Sequence, residues 1–179
     1  MAVTITSVTM TAKLNVKYEK LLNLKEICLK TNNCEYNRRY YDRLLIRLRN
    51  PSVTVAVHTS GKLILTGAKS ESLGRIGLRR VGRLIQKIGY QITISDIKVV
   101  NIAGTYDFNT DFNLNKLSEF LGWNASFEPE IFPNLIWKAD NKTVIISRKG
   151  KSIITGFKSI KNLNILLYLF ACKLLAFDF

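Results

Sequence analysis

Acidic side chains are scarce in this chain. Asp and Glu total 13 against 27 Lys and Arg, a formal net charge of +14 with a pI near 9.9. Such a balance leaves the fold open but favours an anionic partner. The few acids, among them Asp96, Asp107, Asp111, Glu119, Glu128 and Glu130, are scattered and supply no obvious acid–base pair. Histidine is rarer still, with His58 alone. Without a nucleophile or metal ligands at recognisable spacing, no enzyme activity, metal or cofactor is expected. Three cysteines, Cys28, Cys34 and Cys172, are odd in number and lack metal-ligand spacing. They fit reduced, structural thiols in an intracellular protein. The stretch from Met1 to Thr11 lacks the charged start and apolar run of a signal peptide. Leu163 to Phe179 is strongly apolar, but Lys173 and Asp178 interrupt it and it is short for a membrane span. A packed terminal helix is the expectation there.

What is abundant is apolar and basic. Hydrophobic residues make up 47%, with seven Tyr, nine Phe and two Trp, enough for a real core across 179 residues. The basic excess is local as well: Arg38 to Lys87 holds twelve Lys and Arg and only two acids, Asp42 and Glu71. The strongest signal is a repeat. Ser60-Gly-Lys-Leu-Ile-Leu-Thr-Gly-Ala-Lys-Ser70 returns half a chain later as Lys149-Gly-Lys-Ser-Ile-Ile-Thr-Gly-Phe-Lys-Ser159, with seven of eleven positions identical. That period is too long for a solenoid unit and predicts a tandem duplication. The two repeats are placed at 1–91 and 92–179, together one core domain with pseudo-twofold symmetry.

The apolar pattern gives each repeat the same order of elements. In the first, Val3 to Thr11 alternates as a strand and Leu21 to Lys30 reads as a short amphipathic helix. Arg43 to Arg49, Ser52 to His58 and Leu63 to Thr66 follow as strands joined by turn signals. A long helix starts at Ser70, is carried by Leu73, Ile76, Val81, Leu84, Ile85 and Ile88, and ends at Gly89. Its other face carries Arg75, Arg79, Arg83 and Lys87 at four-residue spacing, with Arg80 beside them. In the second repeat the strands are Ile92 to Ala103, Leu135 to Ala139, Thr143 to Ser147 and Ser152 to Thr155. Its helices are Phe112 to Leu121 and one beginning near Ser159. The class expected is α+β: a broad antiparallel sheet with helices confined to one face.

A sheet covered on one side leaves its other face open. Ala56, Ile64, Thr66, Ala103, Ile145, Ile153 and Thr155 are expected there, flanked by Arg39, Arg47, Lys62, Lys69, Lys138, Lys151 and Lys158. A smooth, mostly apolar floor with cationic walls suits a widened DNA minor groove, sugars and base edges on the floor and phosphates on the walls. Single-stranded or RNA binding would want exposed aromatics for stacking, and this floor is aliphatic.

The duplicated peptide resembles that of the TATA-box-binding-protein family. So do Cys34-Glu-Tyr-Asn37, Leu45-Ile-Arg-Leu-Arg-Asn-Pro51, Leu84-Ile-Gln-Lys-Ile-Gly89, Asp96-Ile-Lys-Val-Val-Asn101 and Phe127-Glu-Pro-Glu-Ile-Phe-Pro133. The resemblance covers about residues 5 to 160. It implies a pseudo-twofold saddle whose curved antiparallel sheet carries helices on its convex face and takes a bent minor groove on its concave one. It implies that Asn101 touches base edges at the centre of the site, with a second central position near Ser7, and that Thr66 and Thr155 act beside them. Arg47, Lys62, Lys69, Lys138, Lys151 and Lys158 match phosphate-contacting positions. The family's four Phe wedges fall on Tyr41, His58, Phe132 and Ser147, so one Phe survives. That pattern is similar to the diverged, TATA-box-binding-protein-like branch, with weakened kinking and TATA preference.

The resemblance also implies partners. Glu128, Glu130 and Ile131 match the stirrup that contacts transcription factor IIB, and the stripe Arg75, Arg79, Arg80, Arg83 and Lys87 lies where the family meets transcription factor IIA and regulators. Promoter DNA, self-association through the concave face, a nuclear location and no membrane complete the expectation. The alternative is a protein-interaction scaffold of the same fold that has largely lost direct reading of TATA DNA.

Overall fold

The computed structural model describes residues 3–17 and 21–177. The chain runs β1 (Thr4–Val16), α1 (Leu24–Leu29), β2 (Cys34–Tyr36), β3 (Arg43–Leu48), β4 (Val53–His58), β5 (Lys62–Ala68) and α2 (Glu71–Lys87). It continues with β6 (Ile92–Asp107), α3 (Leu114–Leu121), β7 (Ala125–Ser126), β8 (Leu135–Ala139), β9 (Lys142–Ile146), β10 (Lys151–Phe157) and α4 (Ile160–Leu174). Two compact units emerge: Ser7–Val100, and Met1–Thr6 with Asn101–Phe179.

In the 7–100 unit the strands lie in the order β2-β3-β4-β5-β1, with the start of β6 beside β1. Neighbours from β2 to β1 are antiparallel. Period-two alternation divides each strand between two faces. Leu44, Ile46, Val53, Val55, Val57, Leu63, Leu65, Val8, Met10, Ala12 and Leu14 are buried. Helix α2 covers this face, with Gly74 over Met10 and Gly77 over Leu65 and Val53. Ser70 caps the helix by accepting from the Leu73 N–H at 3.2 Å, and Gly89 follows the last turn at φ +111°.

The buried stripe of α2 departs from the one expected. Gly74, Gly77, Leu78, Val81, Gly82 and Ile85 face the sheet, whereas Leu73 and Ile76 are 37% and 43% exposed. Glycines let the helix axis come close to the strands, so the helix is turned toward its smallest residues and not toward its apolar count. Two other differences concern length. β1 continues past Thr11 to Val16, since Ala12 and Leu14 keep the alternation that Lys13 and Asn15 mask. β2 and β7, of three and two residues, are edge strands too short for a periodic pattern.

In the other unit, residues Thr4–Thr6 of β1 lie beside β6, and the order continues β6-β10-β9-β8-β7. Thr6 Oγ1 donates to the Ala103 carbonyl at 3.1 Å. Leu135, Val144, Ile146, Ile154, Phe157 and Ile102 are buried. Helix α4 packs over them through Leu163, Leu167, Phe170, Ala171 and Leu174; the Phe170 ring lies 4.8 Å from that of Trp137. The terminal apolar segment is thus a packed helix as far as it is described, with Asp178 and Phe179 outside the described residues. No described helix is long and apolar enough to cross a membrane. Each unit combines an antiparallel meander with a long helix packed on it, which is the α+β class read from the sequence.

The repeated Thr-Gly step has a structural counterpart in each unit. The β1–β5 register shifts between Val8 and Met10, and the β10–β6 register shifts between Ile154 and Phe157. Gly67 and Gly156 sit at these shifts with φ +89° and +98°, a conformation that side chains disfavour. Surroundings differ: a β-carbon at Gly67 would be 3.8 Å from its nearest neighbour, the Ser52 carbonyl oxygen, whereas one at Gly156 would collide with that of Asn141. Gly67→Ala is expected to cost about 1–3 kcal/mol of stability through backbone strain alone, and Gly156→Ala distinctly more. Urea unfolding of the two variants checks this; equal losses would refute the steric difference.

Candidate functional site

In each unit the strand face away from the long helix carries the predicted floor residues. In the 7–100 unit, one cross-strand row runs Glu35, Leu45, Ala56, Ile64 and Thr11. The next runs Arg47, Thr54 and Thr66. In the other unit the matching rows are Ser126, Ile136, Ile145, Ile153 and Thr105, then Lys138, Thr143 and Thr155. The duplication therefore reaches the register: Ile64 corresponds to Ile153, Thr66 to Thr155 and Arg47 to Lys138. Aliphatic and hydroxyl side chains form the middle of each face, with cations around it. Lys62, Lys69, Lys151 and Lys158 are all exposed, and Arg39 projects from the turn before Tyr41.

The predicted central residues occupy equivalent places beside the Thr-Gly steps. Asn101 Oδ1 accepts from the Gly156 N–H at 2.9 Å, and Asn101 Nδ2 donates to Thr155 Oγ1 at 3.0 Å. In the other unit Ser7 Oγ accepts from the Gly67 N–H at 3.3 Å. Ser7 thus does for Gly67 what Asn101 does for Gly156, with a shorter side chain and a longer bond. The Asn101 amide is orientated by two partners, and the residue is half-buried.

Residues absent from the predicted set complete the picture. Arg47 is not free: its Nη2 donates to Glu35 Oε2 at 2.9 Å, both side chains being more than half exposed. Exposed pairs of this kind are worth about 0–1 kcal/mol, so a phosphate can displace Glu35 cheaply. At Tyr41 and His58, the first pair expected to act as wedges, the Arg43 guanidinium stacks on the Tyr41 ring, with Cζ 4.6 Å from the centroid. Arg43 is also the cross-strand neighbour of His58. Arg43 Nε and His58 Nε2 are both buried with no hydrogen-bond partner among the described residues. In place of two hydrocarbon rings, this corner holds a phenol, a cation and an imidazole with unsatisfied polar atoms.

Phe132 and Ser147, the second pair expected to act as wedges, differ again. Phe132, 37% exposed, is held in a turn where the N–H groups of Ile131 and Phe132 both donate to the Glu128 carbonyl, at 3.0 and 2.8 Å. Glu128, Glu130 and Ile131 are exposed on that turn. At Ser147 there is no ring, and an open cavity of about 740 Å³ lies against it, lined by Thr4, Thr105, Asn134, Ile145 and Ile153. Its lining mixes the aliphatic Ile145 and Ile153 with hydroxyls, an amide and the charged Asp107 and Lys151. On the helix face of the 7–100 unit, Arg79, Arg80, Arg83 and Lys87 are exposed, while Arg75 donates to Glu71 at 2.7 Å. One cation of the five is thus engaged within the helix.

Comparison with known proteins bears on these arrangements. The family model described as "Transcription factor TFIID (or TATA-binding protein, TBP)" matches residues 2–88 and 96–177. The TATA-box-binding protein of Tetrahymena thermophila is 37% identical over 145 residues, covering 80% of this chain and 59% of that protein. TATA-box-binding protein 2 of Arabidopsis thaliana is 37% identical over 139 residues, 76% of this chain and 70% of that one. The Saccharomyces cerevisiae TATA-box-binding protein matches at 37% over 76% of this chain. The chain therefore spans between 58% and 70% of the length of these relatives. Among solved structures, Methanococcus jannaschii TBP superposes with a TM-score of 0.84 at 26% identity, over 97% of this chain and 98% of that one.

The geometry around Asn101 gives a test that needs no ligand. Asn101→Ala removes two hydrogen bonds and is expected to cost about 1 kcal/mol of stability; Ser7→Ala, which removes one long contact, should cost less than half as much. Chemical denaturation of both variants measures the difference, and a larger loss for Ser7→Ala would contradict the equivalence drawn here.

Proposed function

This chain belongs to the TATA-binding protein family, and on that premise we propose that it is a non-enzymatic general transcription initiation factor that binds promoter DNA in the minor groove. The observation that carries the reading is the pair of rows on the open faces: aliphatic floor, hydroxyl line and flanking cations, repeated in register in both units. A minor groove presents sugar edges and a degenerate set of acceptors. A floor of Ala56, Ile64, Ile145 and Ile153 gives shape contact without demanding hydrogen bonds. Thr66, Thr155 and Asn101 supply the few polar contacts. Arg39, Arg47, Lys62, Lys69, Lys138, Lys151 and Lys158 reach phosphates, which position the protein and make its affinity fall with salt.

Sequence discrimination in this reading is weakened. An inserted ring replaces the stacking that a kinked base step loses, and only apolar rings do so without burying polar atoms. Phe132 serves that purpose. Tyr41 must shed the Arg43 guanidinium, His58 brings a buried nitrogen, and Ser147 leaves its cavity unfilled. The protein therefore bends DNA less and prefers TATA less than a four-Phe sheet would. The scaffold alternative draws on the same cavity, and the salt dependence of DNA binding separates the two.

The remaining partners follow from position. Glu128, Glu130 and Ile131 form an exposed acidic and apolar edge for transcription factor IIB. Arg75, Arg79, Arg80, Arg83 and Lys87 offer transcription factor IIA or regulators a cationic helix face. Self-association covers the apolar floor when DNA is absent, and the protein works in the nucleus. The repeats at 1–91 and 92–179 are read as halves of one duplicated ancestor.

Two experiments test the reading. On a promoter duplex across a salt series, Arg47→Ala should weaken binding to all sequences alike and reduce the slope of log affinity against log salt by about 0.9 for one lost phosphate contact. Glu35→Gln, which frees Arg47, should instead tighten binding by up to about fivefold, the most an exposed pair of about 1 kcal/mol can contribute. An unchanged slope in the first, or weaker binding in the second, counts against the assigned face. Separately, His58→Phe combined with Ser147→Phe should increase the bend of a TATA duplex measured by energy transfer between its ends. No gain in bending would show that the rings are not what limits it.

A further inference from the structure

We propose that Cys28 and Cys34 are a dithiol modification site, closed by peroxide into a reversible intramolecular disulfide that ties α1 to the edge strand β2. The inference rests on the local structure alone and holds whichever surface binds DNA. Cys28 is the penultimate residue of α1 and Cys34 the first of β2. Between them the helix ends with the Thr31 N–H donating to the Cys28 carbonyl at 3.3 Å, and the chain reverses at Asn33, whose φ is +57°. This tight reversal brings the two Sγ atoms to 2.7 Å. A disulfide bond is about 2.05 Å long, so they need to close by only ~0.7 Å. Cys34 Sγ also lies 3.0 Å from the Cys28 carbonyl oxygen and 3.1 Å from that of Thr31. These contacts hold its side chain toward the helix end.

The same surroundings order the chemistry. Burial and the neighbouring Cys28 sulfur push the Cys34 thiol up to about 11, so at neutral pH it stays protonated, and the thiolate is the reactive form. The Cys34 thiol is also held against the Cys28 and Thr31 carbonyl oxygens as a donor, so the first oxidation is placed on Cys28. Its thiol reduces hydrogen peroxide, giving the sulfenic acid and one water. The Cys34 sulfur then attacks the sulfenic sulfur, the S–S bond forms, and the hydroxyl leaves with the Cys34 proton as a second water. Overall two thiols are oxidised and one peroxide is reduced to two waters. Cys172, exposed on α4, has no part in this.

The closed bond matters for the edge of the sheet. β2 is held by three residue pairs to β3, and it carries Glu35, the partner of Arg47. Asn33, inside the closed loop, accepts the Arg47 N–H at 2.9 Å. Oxidation therefore fixes the short strand that partners Arg47, and reduction releases it.

The test uses the whole chain carrying Cys172→Ser, treated with hydrogen peroxide, then alkylated with iodoacetamide and weighed intact. The proposal expects a monomer lighter by two hydrogens, without alkylation, with a peptide joining Cys28 to Cys34. Dithiothreitol should restore two alkylatable thiols. Amide exchange over residues 31–36 should slow in the oxidised form. In Cys34→Ser, dimedone should trap a sulfenic acid on Cys28. Two alkylatable thiols after peroxide, or a disulfide-linked dimer, would overturn the proposal. Unchanged exchange over 31–36 would overturn its structural consequence, and a dimedone adduct on Cys34 in a Cys28→Ser chain, with none on Cys28 in Cys34→Ser, would overturn the order of steps.

Discussion

The cross-strand register is the constraint on which the rest of this molecule depends. Side chains alternate along a strand, so a slip of one residue would send Ile64 and Ile153 inward and Leu65 and Ile154 into solvent. What pins the register is the Thr-Gly step, where the pairing shifts on one side of each sheet and a polar side chain, Ser7 or Asn101, takes the freed glycine N–H. The same step aims Thr66 and Thr155 outward. One local device thus fixes both the core and the face proposed to meet DNA, which explains physically why that peptide is the part of the sequence most alike between the repeats.

Electrostatics and apolar contact divide the work on that face. The cations are exposed and cheap to redeploy, as the half-exposed Arg47–Glu35 pair illustrates. They can supply affinity for any duplex, but they carry no sequence information. On that proposal discrimination comes from deforming the duplex, for which the corners are poorly equipped: Arg43 occupies the Tyr41 ring, and the cavity beside Ser147 stays open. In the proposed reading the protein keeps the general part of the recognition surface while the discriminating part is altered.

Much of this was legible in the sequence, for identifiable reasons. The duplicated peptide gave the architecture, and period-two alternation placed Ala56, Ile64, Thr66, Ile145, Ile153 and Thr155 on one face. Ser70 and Gly89 marked the ends of α2. The wedge changes could be seen as substitutions, but not their consequences, because the stacking of Arg43 on Tyr41 depends on a turn and a strand meeting. Glu35 escaped notice since β2 is three residues long, too short to show a period. The buried face of α2 was misjudged because a hydrophobic count scores glycine as neutral, whereas Gly74, Gly77 and Gly82 set how closely that helix approaches its neighbours. The Cys28–Cys34 approach was hidden for a related reason, since it depends on the backbone reversal at Asn33.

The most direct measurement is binding and bending of fluorescently end-labelled TATA and scrambled duplexes by the purified protein across a salt series. Affinity is expected to fall steeply with salt on both duplexes, with a small preference for TATA and a modest bend. Affinity indifferent to salt would contradict the cationic face. Tight, strongly bent complexes formed only on TATA would contradict the claim that the altered wedges have weakened discrimination.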